Sequence, residues 1–364
     1  MNKTHLSINL LALEANYQLI RSKINRHTQV IGVVKANAYG TDAVVVARKL
    51  IDLGVKYLAV AYTSEGVLLR KANINLPILV FYPQIENFKQ LIGYQLTPSI
   101  YSFSALDYFE KTLKIEQKFA YPVHIKINTG MNRLGFETGE LELLYDRLKS
   151  KVLQVEGVFS HFAAAGSPNQ LDFTQYQIRQ FQQAVDFFKS KFSSNILFHI
   201  SNSSGILNYS DAGYPAVRPG IALYGYGNHP QENRQLEPVA SLYAPIIQIR
   251  EIQAGESVGY DRSYVAKKTC KIATLAIGYA DGISRIYGNG KAIVKVNDTS
   301  APTCGNICMD TTMINVSGIK CDEGDMVQIF GKDHPATDFD AYHQSIEYEL
   351  ITCISSRVPR IVKK

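Results

Sequence analysis

Short runs of consecutive apolar, often β-branched residues recur along the first two-thirds of the chain, and stretches of helical period follow them. Residues 30–34 precede 42–53, 57–61 precede 64–71, and 78–81 precede 85–92. Further along, 123–127 precede 140–149, 155–159 precede 173–188, and 196–200 precede 203–206. An unbroken apolar run predicts a strand buried on both faces, the signature of a parallel sheet wrapped by helices. With 96–100 and 222–224 counted as strands, about eight βα units result, the number that closes a barrel.

After about residue 230 the texture changes. Residues 239–252, 270–277, 291–296 and 326–330 alternate as strands, with turn signals at Gly255-Glu256 and Gly288-Asn289-Gly290. The expected architecture is α/β: an N-terminal (β/α)8 barrel over 1–230, then a mostly antiparallel β domain over 231–364. The polar stretch 231–236 reads as the joint, and the first few residues could pack with the β domain.

Composition narrows the class. Of the 364 residues, 46% are apolar and 19% charged, which supports a large core and argues against disorder. The net charge of +6 is spread without a basic block, so it suits anionic small molecules better than nucleic acid. No apolar run approaches the roughly 18 residues that a membrane helix needs. Residues 6–13 are interrupted by Ser7 and Asn9, a poor match to a secretory signal. Five sparse cysteines fit a reducing cytoplasm better than a disulfide framework.

Polar residues gather at the carboxyl ends of the expected strands, where barrels keep their chemistry. Lys35 follows Val33-Val34; Lys126 and Arg133 close the run at 123–127; His161 follows Val158-Phe159. His199, Asn202 and Ser203 finish the run from Ile196, and Arg218 precedes Pro219-Gly220-Ile221-Ala222. A lysine directly after a buried strand is costly unless paired or neutral, and a neutral amine forms Schiff bases with aldehydes. By itself Lys35 reads more readily as a lysine snorkelling at a strand end.

The run Val33-Val34-Lys35-Ala36-Asn37-Ala38-Tyr39-Gly40 resembles the cofactor-lysine motif of bacterial alanine racemases, fold-type III enzymes that use pyridoxal 5′-phosphate. The resemblance continues from Lys126 through Arg133 to Gly135, and in Ser160-His161-Phe162-Ala163, Asn202-Ser203 and Val217-Arg218-Pro219-Gly220-Ile221. In the second domain it covers Val258-Gly259-Tyr260, Gly278-Tyr279-Ala280-Asp281-Gly282, Ile307-Cys308-Met309-Asp310 and Arg357-Val358-Pro359-Arg360. It implies interconversion of L- and D-alanine, supplying D-alanine for peptidoglycan. It also implies a cytoplasmic homodimer in which each β domain caps its partner's barrel.

The same resemblance implies roles. Lys35 would bind the cofactor and act as one base, with Tyr260 of the partner subunit as the second on the opposite face. Arg218 would face the pyridine nitrogen as a donor that cannot protonate it, backed by His199. His161 and Asn202 would touch the cofactor, while Ser203, Gly220, Ile221, Tyr39 and Tyr348 would hold its phosphate. Ser203 could equally be a helix N-cap. Arg133 and the Met309 amide would bind the substrate carboxylate, with Tyr279 walling the access passage. Lys126 matches a lysine carbamylated in some relatives, and Asp310 a buried orienting group.

Three positions depart from the family pattern. Asn306 stands where many relatives carry arginine, Thr41-Asp42 where His-Gly is common, and Asn128 where aspartate is frequent. The last change removes a negative charge near Arg133. A broad-specificity amino-acid racemase is one alternative reading, and a non-catalytic barrel that binds pyridoxal phosphate is another. Tyr260, Tyr279 and Met309 lie in the β domain that such barrels lack, which favours the enzyme. Cys304, Cys308 and Cys321 lack a second close pair, so no metal site is expected.

Overall fold

Eight short strands close into a parallel barrel: Gln29–Val33, Tyr57–Val60, Ile78–Val80, Thr97–Ile100, Tyr121–Lys126, Leu153–Phe159, Leu197–His199 and Ala216–Val217. Each pairs with the next in parallel, and Gln29 and Val30 close the ring against Ala216 and Val217. The computed structural model describes residues 3–150, 152–192, 195–209, 212–340 and 345–363.

The apolar runs behave as their composition requires. Every residue of Tyr57–Val60 and of Ile78–Val80 is buried, one set of side chains inside the barrel and the other under helices. Helix Ala43–Asp52 buries Ala43, Val46, Ala47 and Leu50, the three-to-four spacing of a single face. Gly32 admits that helix closely, since a Cβ there would lie 2.9 Å from the Leu50 side chain.

One expected strand is not a strand. Residues 222–224 belong to the 3-10 turn Ile221–Tyr224, and the eighth barrel strand is Ala216–Val217. The amides of Gly220 and Ala222 both donate to Ser203 Oγ, at 3.0 and 3.1 Å, so a hydroxyl replaces the neighbouring strand as acceptor.

The chain divides into two compact units, and the division differs from a cut after residue 230. The barrel unit comprises 14–38 and 43–236; the β unit takes the chain up to Leu13, Tyr39–Asp42, and everything from Glu237. Within the β unit, Ala240–Ile252 is the spine. It pairs antiparallel with His5–Asn9, Met326–Phe330 and Cys270–Leu275, its register shifting between Ile246 and Gln248. A bulge of this kind bends a long strand, so one strand serves neighbours at both ends. Strand His5–Asn9 also pairs in parallel with Arg360–Lys363.

The Tyr39–Asp42 segment is held within the β unit by Arg360. Its guanidinium donates to the carbonyls of Gly40, Thr41, Ile354, Ser355 and Val358, all within 3.2 Å. Gly40 has φ +82°, and a Cβ there would sit 1.9 Å from the Ile351 carbonyl oxygen. Only glycine fits. Lysine cannot reproduce a planar fork of donors, so Arg360→Lys is expected to cost about 2–4 kcal/mol of unfolding free energy. Hydrogen exchange should rise at 40–42 and 354–358; unchanged protection there would refute the clamp.

Candidate active site

Lys35 follows the first barrel strand and opens a strained turn. Ala36, Asn37, Ala38 and Tyr39 have φ between 51° and 53°, the left-handed region that costs L-residues roughly 1–2 kcal/mol each. Three sets of bonds oppose that strain. The Ala38 amide donates to Val34 O at 3.0 Å, and the Ala43 amide donates to Asn37 Oδ1 at 3.0 Å. The Glu65 carboxylate accepts from the amides of Ala36 (2.6 Å), Ala61 (2.7 Å) and Tyr62 (3.1 Å). Glu65 thus caps helix Thr63–Lys71 and clamps the lysine turn with one side chain. Sequence reasoning missed it. Its only signal was an acidic residue in a helix's first turn, which is ordinary.

The barrel mouth concentrates positive charge. Lys35, Lys126, Arg133, Phe159, His161 and Tyr82 line a narrow cavity of about 90 Å³. Burial, then Arg133, pulls the Lys35 amine below the usual lysine range, with Glu65 opposing. Lys126 is 9% exposed, and burial with Arg218 and Arg133 lowers it strongly. Its Nζ stands 4.9 Å from the Phe159 ring centroid, and the Arg218 guanidinium carbon stands 5.2 Å from that same centroid. Both lysines are biased toward the neutral amine, the nucleophilic form.

Arg218 is only 2% exposed, and backbone carbonyls and imidazoles surround its guanidinium. One terminal nitrogen donates to His199 Nδ1 at 2.6 Å and His199 O at 3.0 Å. The other donates to Ser160 O (2.6 Å), Ile200 O (3.1 Å) and His161 Nδ1 (3.2 Å). Arginine only donates, so the facing ring nitrogens must present lone pairs. Burial and Arg218 hold His161 and His199 well below the usual histidine range. Burial lowers Arg218 itself to about 9, which leaves it cationic at neutral pH.

The Arg133 loop is organised by Asn128. Its Nδ2 donates to Asn132 Oδ1 (2.9 Å) and Glu137 Oε1 (2.7 Å), while its Oδ1 accepts from the Gly130 and Asn132 amides. An aspartate would face Glu137 without a proton to offer, so asparagine completes this loop. Arg133 itself is exposed, its guanidinium carbon 5.6 Å from the Tyr82 ring centroid. Asn202, not Ser203, caps helix Ser203–Asn208, its Oδ1 accepting from the Gly205 amide at 3.0 Å. The Gly220 amide, expected to face a ligand, is engaged by Ser203 Oγ.

Other expected site residues belong to the β unit. Tyr39 and Tyr348 have ring centroids 6.2 Å apart. Tyr260 is 66% exposed, on a turn where Asp261 and Arg262 have φ 60° and 49°. Asn306 secures that turn: its Nδ2 lies 3.2 Å from Tyr260 O and 3.3 Å from Asp261 Oδ2. The amides of Tyr279 and Ala280 donate to the carbonyls of Cys308 and Met309, bringing Tyr279 beside the Met309 loop. Asp310 is not the buried group it was expected to be. It is exposed and pairs with Arg357 at 2.8 Å, whereas Asp281 is buried and accepts from the Gly278 amide. Among the described residues, no helix is long and apolar enough to cross a membrane.

Two family models match almost end to end: the alanine racemase N-terminal domain over residues 8–228 and its C-terminal domain over 239–362. The chain belongs to the alanine racemase family. It is 36% identical to the alanine racemase of Carboxydothermus hydrogenoformans over 99% of this chain and 100% of that one. Identity with the Treponema denticola enzyme is 37%, over 99% and 98% of the two chains. Among solved structures, the alanine racemase of Streptomyces lavendulae superposes with a TM-score of 0.93 at 27% identity, covering 100% of this chain and 98% of that one. That of Bacillus anthracis, solved with bound L-Ala-P, gives 0.92 at 31% identity, covering 100% and 96%. The chain is therefore an enzyme, an isomerase with alanine racemase activity.

The buried imidazoles set an acid limit. Burial and Arg218 lower His124 to about 3, and His161 and His199 are lowered from the same two causes. Unfolded histidines take protons below about pH 6.5 while these three stay neutral, so unfolding takes up protons and stability falls with pH. Each such histidine removes up to about 1.4 kcal/mol of stability per pH unit below that point, and above it, where both states are neutral, the loss is absent. Urea unfolding at about pH 7.5 and about pH 5.5 should show this drop. Equal midpoints would contradict the neutral assignment.

Proposed function

We propose that the chain interconverts L- and D-alanine with pyridoxal 5′-phosphate, using Lys35 and the partner subunit's Tyr260 as bases on opposite faces of the substrate. The observation that supports this most is the barrel mouth, where a lysine biased toward its neutral form stands among Arg133, Lys126 and Arg218. An anionic aldehyde suits this set: an amine to bond covalently, cations to balance its charge, and hydroxyl and amide donors for its phosphate. Lys35 would bind it covalently, Arg218 would face its ring nitrogen, and His161 and Asn202 would flank it. Ser203, Gly220, Ile221, Tyr39 and Tyr348 would serve the phosphate, the Gly220 amide acting through Ser203, to which it donates.

When bound, pyridoxal phosphate supplies a conjugated electron sink that acidifies the substrate's Cα–H. The protein does the rest. Arg133 and the Met309 amide hold the carboxylate, and Tyr279 narrows the passage to a small side chain. Lys35 Nζ takes a proton from one face of Cα while Tyr260 Oη returns one to the other, and the roles exchange in the reverse direction. Arg218 only donates, so it leaves the ring nitrogen unprotonated and the sink moderate, which disfavours side transamination. The product D-alanine would supply peptidoglycan synthesis in the cytoplasm.

Lys126 is proposed to carry a carbamate. Its neutral amine adds CO2, forming an N–C bond and losing one proton, and the resulting anion would offset Arg133. Intact mass under bicarbonate should show one added CO2, absent in Lys126→Ala; no such adduct would remove the proposal. Borohydride reduction of cofactor-loaded protein should fix the label on Lys35, and peptide mapping to another lysine would refute that assignment.

A homodimer accounts for the large side chains the β unit exposes, Tyr260 at 66%, Met309 at 53% and Tyr279 at 40%. It also accounts for the division of Lys35 and Tyr260 between units. Lys35→Ala and Tyr260→Phe homodimers should each be nearly inactive. Refolded together with unbiased pairing, they should form about half heterodimers, each with one intact site, restoring roughly a quarter of parental activity. Background activity from proven heterodimers would overturn the shared site while leaving Lys35 in place.

A further inference from the structure

Barrel interiors are normally filled by branched apolar side chains, yet this one holds two stacked layers of imidazole and phenol behind Arg218. His199 and His124 are both fully buried, with His199 Nε2 2.9 Å from His124 Nδ1. His124 Nε2 lies 3.3 Å from the Tyr57 hydroxyl. The half-buried Glu156 lies near enough to raise the proton affinity of that hydroxyl, after burial itself. Gly157 makes room for the arrangement, because a Cβ there would stand 2.5 Å from the His124 ring. Phe159 stacks on His199 at 5.0 Å with planes 5° apart, fixing the ring's tilt.

The direction of every bond follows from Arg218. Its N–H can only donate, so His199 Nδ1 must accept and the His199 proton must sit on Nε2. That proton requires a lone pair on His124 Nδ1, which places the His124 proton on Nε2, facing the Tyr57 oxygen. The phenolic hydrogen then points away from His124. We infer that His124 and Tyr57 are positioning residues for Arg218, forming a one-way hydrogen-bond chain through the barrel that fixes the His199 ring and thereby the guanidinium. Burial and Arg218 both disfavour a charged His124, which keeps its Nδ1 available as an acceptor. Two buried polar rings in place of aliphatic side chains cost stability unless fully bonded, and this chain bonds them.

The inference rests on the proposed placement of Arg218 at the cofactor's ring nitrogen, but its first test does not. In cofactor-free protein labelled with 15N-histidine, long-range 1H–15N spectra should show His124 and His199 neutral and protonated on Nε2. His124→Leu should leave the His199 proton on Nε2 but take away its acceptor, moving that proton's resonance upfield and speeding its exchange. In the loaded enzyme it should lower kcat about tenfold with KM for alanine within about twofold, since a guanidinium out of place weakens the transition state rather than binding. His124→Gln keeps one acceptor and one donor at that site and should restore both readouts. A His199 proton on Nδ1 in the parent, or Leu and Gln variants alike in both readouts, would overturn the chain. If His124→Leu does not fold, Tyr57→Phe removes a single hydroxyl, and parental spectra with parental kcat there would overturn the extension to Tyr57. A parent that fails to racemise alanine while its tautomers are as described would fault the functional reading alone.

Discussion

A guanidinium buried to 2% exposure, with no carboxylate partner among the described residues, is the constraint around which the barrel is organised. Arg218 cannot shed its charge at neutral pH, and desolvating it uncompensated would cost several kcal/mol. The compensation comes from the carbonyls of Ser160, His199 and Ile200, from two imidazole lone pairs, and from the face of Phe159. Strand ends supply those carbonyls at the point where ladder pairing stops. The polar interior serves this cation, and the depressed basicity of His124, His161 and His199 comes first from burial and then from Arg218.

The second dependence concerns strain. Four successive residues after Lys35 occupy the left-handed region, a conformation that local sequence opposes at each step. It persists because Glu65, Asn37 and Val34 take up the amides that the reversed turn leaves without ordinary helical partners. The turn fixes where the Lys35 backbone stands, which suits the reactive role proposed for it. The cost of holding it is carried by a helix cap, an economical place to store it.

These two features differ in how far the sequence revealed them. Strand composition made seven barrel strands and the position of Lys35 legible, because burial on both faces leaves an unbroken apolar run. The eighth strand was misplaced to 222–224, since a buried 3-10 turn is as apolar as a strand and only the Ser203 hydroxyl distinguishes them. Glu65 and His124 were not legible at all, for their partners are 29 and 75 positions away and no local pattern encodes such bonds. The Asn128 substitution was read as a lost charge, but in the fold it is a gained donor that faces Glu137. Asp310 was misread for a similar reason: it and Asp281 both contact Arg357, and only packing decides that Asp281 is the buried one.

The two units treat their functional residues in opposite ways. In the barrel, His124, His199 and Arg218 are buried and mutually bonded, so their charge states are set by neighbours and insulated from solvent. In the β unit, Tyr260 is exposed, yet its turn is fixed by Gly259, by two left-handed residues and by Asn306. Rigid backbone under an exposed side chain has no folding benefit to explain it, because a solvated tyrosine could sit on a mobile loop at no cost. Racemisation supplies a reason. The proposed two-base scheme asks for a second proton-transfer group on the substrate face opposite Lys35. A tyrosine held on a fixed turn is what that scheme would need, so the ordered turn and its exposed side chain fit the proposal together.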